Sequence, residues 1–241
     1  MVHQERSYRG LIKGTRLVAF RAVVKETDLW VRADRDLEKE TTSLILKHRM
    51  PLERYVRDRP DFINSLGPYP EDPLAPPIVK TMIEAGKGAG VGPMAAVAGA
   101  VAEYVGRDLL TFSEEVMVEN GGDVFIRSAA PVTMGIFAGT SPFSNRLGIR
   151  VDCPGHPVGV CTSSGTVGHS LSFGKADAVV VLSESAPAAD AAATAVGNTV
   201  SAKGDIKKAI AVGKEIPRLK GLVIIVGGEL GLWGDIELVR L

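Results

Sequence analysis

The sequence predicts an α+β protein, a mixed sheet carrying helices, and three observations predict it. Apolar and polar residues alternate in short runs such as LVAFRAVV and DLWVRA, the period of a half-buried strand. Other stretches repeat their apolar residues every three or four positions, the period of a helix. The two kinds of element are mixed without a regular strand–helix–strand beat, which argues against a doubly wound sheet. The 241 residues are 45% hydrophobic and 23% charged, sufficient for a core that needs no staples. The chain is read as one domain over 1–241, with a hairpin and helices in 1–66, a connector at 67–77 and a core at 78–241.

Taken in order, residues 16–33 predict two strands joined in a hairpin at Lys25-Glu26-Thr27. From Asp34 to His48 the apolar set Leu37, Thr41, Leu44, Ile45 and His48 has helical spacing, and Pro51 restarts a second helical piece through Arg57. Arg49, Arg54, Arg57 and Arg59 then form a basic cluster, read as a solvated face with a phosphate clamp as its alternative. Gly67–Pro77 holds five of the 14 prolines and reads as an extended connector. Ile78–Ala85 is a short helix, and Pro93 opens another after a glycine-rich lead-in whose free N–H groups suit an anion. Two apolar strands flank Asn120-Gly121-Gly122-Asp123, and short strands follow at 132–138, 147–151 and 158–161. A buried strand and an alanine-rich helix come next. The chain finishes with a helix at 205–214, the apolar strand LVIIV at 222–226 and a closing strand at 236–239.

Composition excludes several partners. Lys+Arg and Asp+Glu balance at 28 each, so no net field draws the chain to nucleic acid or to an anionic membrane. The longest membrane-like run, 91–102, is broken by Pro93 and is far short of the roughly 20 residues a spanning helix needs. The expected location is the cytoplasm. Cys153 and Cys161 lack metal-site spacing and read as buried small hydrophobes. A homodimer is the default assembly.

The chemistry concentrates between Thr162 and Asn198. On the alanine-rich helix, Asp190, Thr194 and Asn198 recur every fourth position and so share one face. Polar groups on an apolar helix need partners, which predicts either a divalent cation or a phosphate-bearing ligand. Asp190 and Thr194 offer hard oxygens, which suit Mg²⁺ better than zinc; the bland alternative is a carboxylate serving a helix start. Thr162, Ser163, Ser164, Gly165 and Thr166 form either a phosphate nest or an ordinary loop. The Asn120–Asp123 segment is either a plain turn or one wall of a cleft. His169 is a candidate acid or base, with structural hydrogen bonding as its alternative. The glycines around Gly90 and Gly92 match neither a dinucleotide fingerprint nor a Walker loop.

The order of these patches resembles the ApbE family, the Mg²⁺-dependent FAD:protein FMN transferases. GVGPMAAVAGAVAE at 90–103, VENGGDVF at 118–125, TSSG at 162–165 and ADAAATAV at 189–196 stand where that family carries its small-residue helix, its N-x-GG-D strand end, its TSG and its ADALATAL helix. VGPMAAVAGA, ENGGD, TSSGTVGHSLSFGKADAV and ADAAATAVGN look like the signature of one branch of ApbE-like proteins. The resemblance implies an ApbE-like fold and Mg²⁺ at Asp190 and Thr194, with a backbone carbonyl from 90–93 as a further ligand. It also implies a cleft for FAD or another nucleotide, lined by Gly90, Gly92, Asn120–Asp123 and Thr162–Thr166, and an acceptor protein. The family's lysine falls at Met94 here, and its HxxDPxTG segment shrinks to His169-Ser170-Leu171-Ser172. Three functions stay open: transfer or hydrolysis at the FAD pyrophosphate, with His169 as base; binding of a flavin, pterin or nucleotide without catalysis; or an assembly role without a ligand.

Overall fold

A computed structural model describes residues 16–153, 155–166 and 173–241. Eleven strands and six helices are found among them. β1 (Val18–Val24) and β2 (Thr27–Ala33) form the expected hairpin; β3 (Val116–Asn120) and β4 (Asp123–Arg127) form a second. β5 (Val132–Gly135), β6 (Leu147–Val151), β7 (Val158–Ser163), β8 (Ala178–Ser183), β9 (Leu219–Val226), β10 (Glu229–Gly234) and β11 (Glu237–Arg240) complete the set. Eight of them make one sheet in the order β1-β2-β3-β4-β7-β8-β9-β10, and β11-β6-β5 make a small one. All pairings are antiparallel, which narrows the expected mixed sheet to one strand sense.

Period-two alternation sorts the strand residues between two cores. Val116, Val118, Phe125, Cys161, Val179, Val181, Leu222 and Ile224 face the helices. Met117, Val124, Ile126, Val160, Val180, Val223 and Ile225 face the small sheet, where Val132, Ile149 and Val151 meet them. Each fully buried Ile, Leu or Phe contributes roughly 1.5–3 kcal/mol.

The helical layer consists of α1 (Glu38–Asp58), α2 (Pro60–Asn64), α3 (Pro77–Ala89), α4 (Val97–Leu109), α5 (Ala186–Asn198) and α6 (Ile206–Glu215). α4 lies on β3 and β4, α5 on β7 and β8, and α6 on β9 and β10. Pro51 does not divide α1. Thr41, Ile45, Leu52 and Tyr55 are buried at continuous helical spacing on both sides of it, so their burial outweighs the missing N–H. Arg49 departs from the solvated reading: its half-buried guanidinium donates to Glu26, Glu53 and Thr27 and fastens α1 to the first hairpin. β10 was not expected. Its signal was the Gly227-Gly228 pair after LVIIV, a hairpin turn in which Gly227 has φ +58°.

α4 and α5 run antiparallel and cap each other. The Gly99 N–H in the first turn of α4 donates to Asp190 Oδ2 of α5 at 2.9 Å, and the Ala186 N–H at the start of α5 donates to Glu103 Oε2 of α4 at 2.7 Å. Each carboxylate lies against the other helix's positive end. Glu103 is buried and also accepts from Arg107 Nε at 2.8 Å. Glu103→Ala leaves the Ala186 amide and Arg107 without their acceptor and is expected to cost about 2–3 kcal/mol in urea unfolding. Glu103→Gln keeps an acceptor and is expected to cost less than half as much; equal losses would show that the bond to Ala186 contributes nothing.

Candidate functional site

The close approach of α4 and α5 positions the site. Gly99 permits it: a Cβ there would lie 2.5 Å from the Ala186 carbonyl oxygen and 3.0 Å from Asp190 Cβ. Gly99→Ala is therefore expected to separate the helices at a cost of about 1–3 kcal/mol. It should also lengthen the Gly99–Asp190 bond, visible as loss of protection of the Gly99 amide in hydrogen exchange.

Asp190 is partly buried, and burial first and the charge of Asp123 second push its carboxyl well above the usual range, against the lowering by the Gly99 and Ala98 amides. Asp123, at the start of β4 and on its helix-facing side, is 7% exposed. Burial first, and Glu119 in addition, push it up to about 7, although Cys161 and the Thr162 N–H hold it down. That amide lies 3.3 Å from Asp123 Oδ1. Cys161 sits between the acids; burial and both carboxylates raise its thiol, whose hydrogen is donated to Ala186 O at 3.2 Å. Among the described residues no Lys or Arg forms an ion pair with Asp123 or Asp190. The two acids lack a counter-charge, and each holds its proton more tightly than a free carboxyl.

The residues singled out from sequence divide by what the fold does with them. Asn120 donates to the Ala98 carbonyl at 3.1 Å, tying the second hairpin to the start of α4. Gly121 and Gly122 make its two-residue turn with φ +69° and +107°, a conformation that suits glycine, and Glu119 holds the Gly122 amide at 2.9 Å. Nothing lies within 4 Å of where a Gly121 Cβ would stand, so the turn leaves open space. Thr194, one turn after Asp190, is partly buried, and its hydroxyl has no hydrogen-bond partner among the described residues. Asn198 serves a loop, its Oδ1 accepting from the Phe173 amide at 3.0 Å.

The 162–166 run is not an open nest. Thr162 and Ser163 are the last residues of β7 and pair with β8. Alternation turns Ser163, rather than Thr162, toward α5, where Gly197 packs near Ser163 Oγ. The Gly165 amide donates to Ala176 O at 2.9 Å and the Thr166 amide to Ser164 Oγ at 3.1 Å. The glycine lead-in is likewise committed. Gly90, in the left-handed region, closes α3; the Val91 amide donates to Gly86 O and the Gly92 amide to Leu66 O. These amides are not available to an anion, which corrects that expectation. His169 lies outside the described residues.

Sequence reasoning placed Asp123 in a turn that either is plain or lines a cleft, and overlooked Glu103 and Gly99. A groove of about 840 Å³ lies elsewhere on α5 and is lined by Lys87, Arg218, Glu84, Ser185 and Ala188, but by neither acid of the pair. Two of its cations are matched, Lys87 with Glu71 at 2.6 Å and Arg218 with Glu84 at 3.0 Å, and Lys80 lines it as well. The carboxylates Asp123 and Asp190, which lack a basic partner among the described residues, make the candidate site. No three acidic, His or Cys side chains form a metal cluster among the described residues, so a cation here would rest on Asp190, Asp123, the Thr194 hydroxyl and solvent or ligand oxygens. That donor set is hard and anionic and fits Mg²⁺. No helix of the described residues is long and apolar enough to cross a membrane.

Comparison with known proteins agrees with this architecture. A UPF0280 protein of Methanococcus aeolicus is 40% identical over 222 residues, covering 88% of each chain. One from Methanocaldococcus jannaschii is 40% identical over 227 residues, covering 91% of this chain and 92% of its own. Among solved structures, the apo flavinyl transferase ApbE of Pseudomonas stutzeri matches 90% of this chain and 94% of its own with a TM-score of 0.58 at 15% identity, a likeness of fold. A family model described as AbpE bacteria matches residues 9–231. With that match spanning most of its length and relatives of 40% identity beside it, the chain belongs to the AbpE bacteria family.

Proposed function

We propose that the protein binds FAD with Mg²⁺ at the junction of α4, α5 and the β3–β4 hairpin, and transfers FMN from it to an acceptor hydroxyl. The observation that supports this reading best is the pair Asp190, partly buried, and Asp123, buried, whose charges oppose each other without a basic partner. Such a pair is costly by itself and favourable once a cation neutralises it. Asp190 and Thr194 would hold the metal and Asp123 would face it; bound there, Mg²⁺ supplies positive charge to the pyrophosphate. The open space at Gly121 leaves room for a flat ligand against the backbone. In the transfer, the acceptor oxygen bonds to the FMN phosphorus, the phosphoanhydride bond breaks and AMP leaves with its electron pair. The hydroxyl proton passes to a base, for which His169 is the candidate.

A second reading, binding without transfer, is favoured by Met94. It packs partly buried against the helical core, so no amine stands at that position. Thermal shift and calorimetry against FAD, FMN, ADP, ATP and a pterin, each with and without Mg²⁺, test both. Stabilisation by FAD or ADP only with Mg²⁺ is expected, and appearance of AMP from FAD and an acceptor separates transfer from binding. No response to any of the five with Mg²⁺ would end both readings.

A further inference from the structure

We propose that Phe173 is a stacking platform for the aromatic ring of the nucleotide bound at this site, so that the far end of α5 selects ligands that carry a planar ring. The inference rests on the nucleotide reading above. A single exposed phenylalanine is ordinary. This one is 61% exposed on a backbone pinned at three points. Its amide donates to Asn198 Oδ1 at 3.0 Å, Gly174 packs without a side chain against the Gly197 carbonyl, and the Lys175 amide donates to Val200 O at 2.7 Å. The loop is thus fixed to the C-terminal turn of α5 while the ring stays in solvent. An apolar surface held in place beforehand loses little freedom when a ligand covers it.

Position agrees with this role. Asp190, Thr194 and Asn198 advance along α5 by four residues each, so Asn198 stands roughly 12 Å along the axis from Asp190. An extended diphosphate and sugar cover that kind of distance, with phosphates at the carboxylate end and a ring beside Phe173. The third member of the polar stripe therefore acts indirectly, by fixing the platform.

The test compares Mg²⁺-dependent binding of FAD, FMN, ADP and inorganic pyrophosphate to wild type, Phe173→Ala and Phe173→Trp by calorimetry. Phe173→Ala is expected to weaken the ring-bearing ligand by roughly 5- to 100-fold and leave pyrophosphate unchanged. The FMN and ADP arms tell whether flavin or adenine occupies the platform. Phe173→Trp should restore binding, with its fluorescence quenched on saturation. Unchanged affinity for all three nucleotides in Phe173→Ala, or an equal loss for pyrophosphate, overturns the platform while the nucleotide reading stands. If wild type binds none of the four ligands, the nucleotide reading fails and the platform fails with it.

Discussion

Asp190→Asn should abolish the Mg²⁺-dependent thermal stabilisation by FAD while leaving the fold intact. At a hundred times its dissociation constant a ligand stabilises the native state by about 2.7 kcal/mol, roughly 5–10 °C in a chain of this size. The substitution removes that shift because an amide oxygen is a poor substitute for a carboxylate at a divalent cation. The apoprotein should not suffer. Asn retains an oxygen for the Gly99 amide, so the cap on α4 survives, and the repulsion with Asp123 disappears. Asp190→Ala supplies the contrast, losing the metal response and also about 0.5–2 kcal/mol of apo stability with the cap. A persistent Mg²⁺ response in Asp190→Asn would reduce Asp190 to a helix cap and remove the metal from the site.

The two roles of Asp190 explain how much of the site was legible. The polar stripe on an alanine helix is visible in sequence because helical periodicity is local. That Asp190 caps α4 is not visible, since it depends on the angle and spacing at which two distant helices meet. Glu103 was overlooked for the same reason: its i+4 partner Arg107 is local, but only the close approach at Gly99 brings it to the Ala186 amide. The Asn120–Asp123 turn was readable because two adjacent glycines between apolar runs suit a two-residue hairpin. The consequence for Asp123 was not readable, because sequence does not say which face of β4 meets the helices. The same gap misjudged Thr162, whose neighbour Ser163 faces α5. α+β character survived these errors because it depends on the kinds of element and their order, which alternation and helical spacing reveal without tertiary detail.

Asp123 should cost the apoprotein stability as pH rises from about 4 to about 7, on the order of 4 kcal/mol from this group alone, and Mg²⁺ with FAD should flatten that contribution. Asp123 titrates near 3.9 in the unfolded chain and at about 7 in the folded one, so over this window the native state holds the proton more tightly. Stability then falls with rising pH, reaching a floor once the folded carboxyl has ionised. Asp190, raised in the same direction, adds to the slope; the charge of Glu119 on β3 raises Asp123 further, and Cys161 on β7 holds it down. Carboxylates elsewhere pull the opposite way. Glu26, Glu53, Glu71, Asp72, Asp108 and Asp205 are lowered by hydrogen bonds and basic neighbours, and they favour the native state as pH rises above about 4. The diagnostic quantity is therefore the difference between proteins. Asp123→Asn removes the Asp123 contribution and its push on Asp190, so wild type should be the less stable of the two at pH 7.5 and should close the gap as pH falls toward 4. Urea midpoints across that range measure it. A gap that is constant with pH would mean that Asp123 is not held protonated by burial, and the case for a cation-seeking acid pair would lose its electrostatic basis.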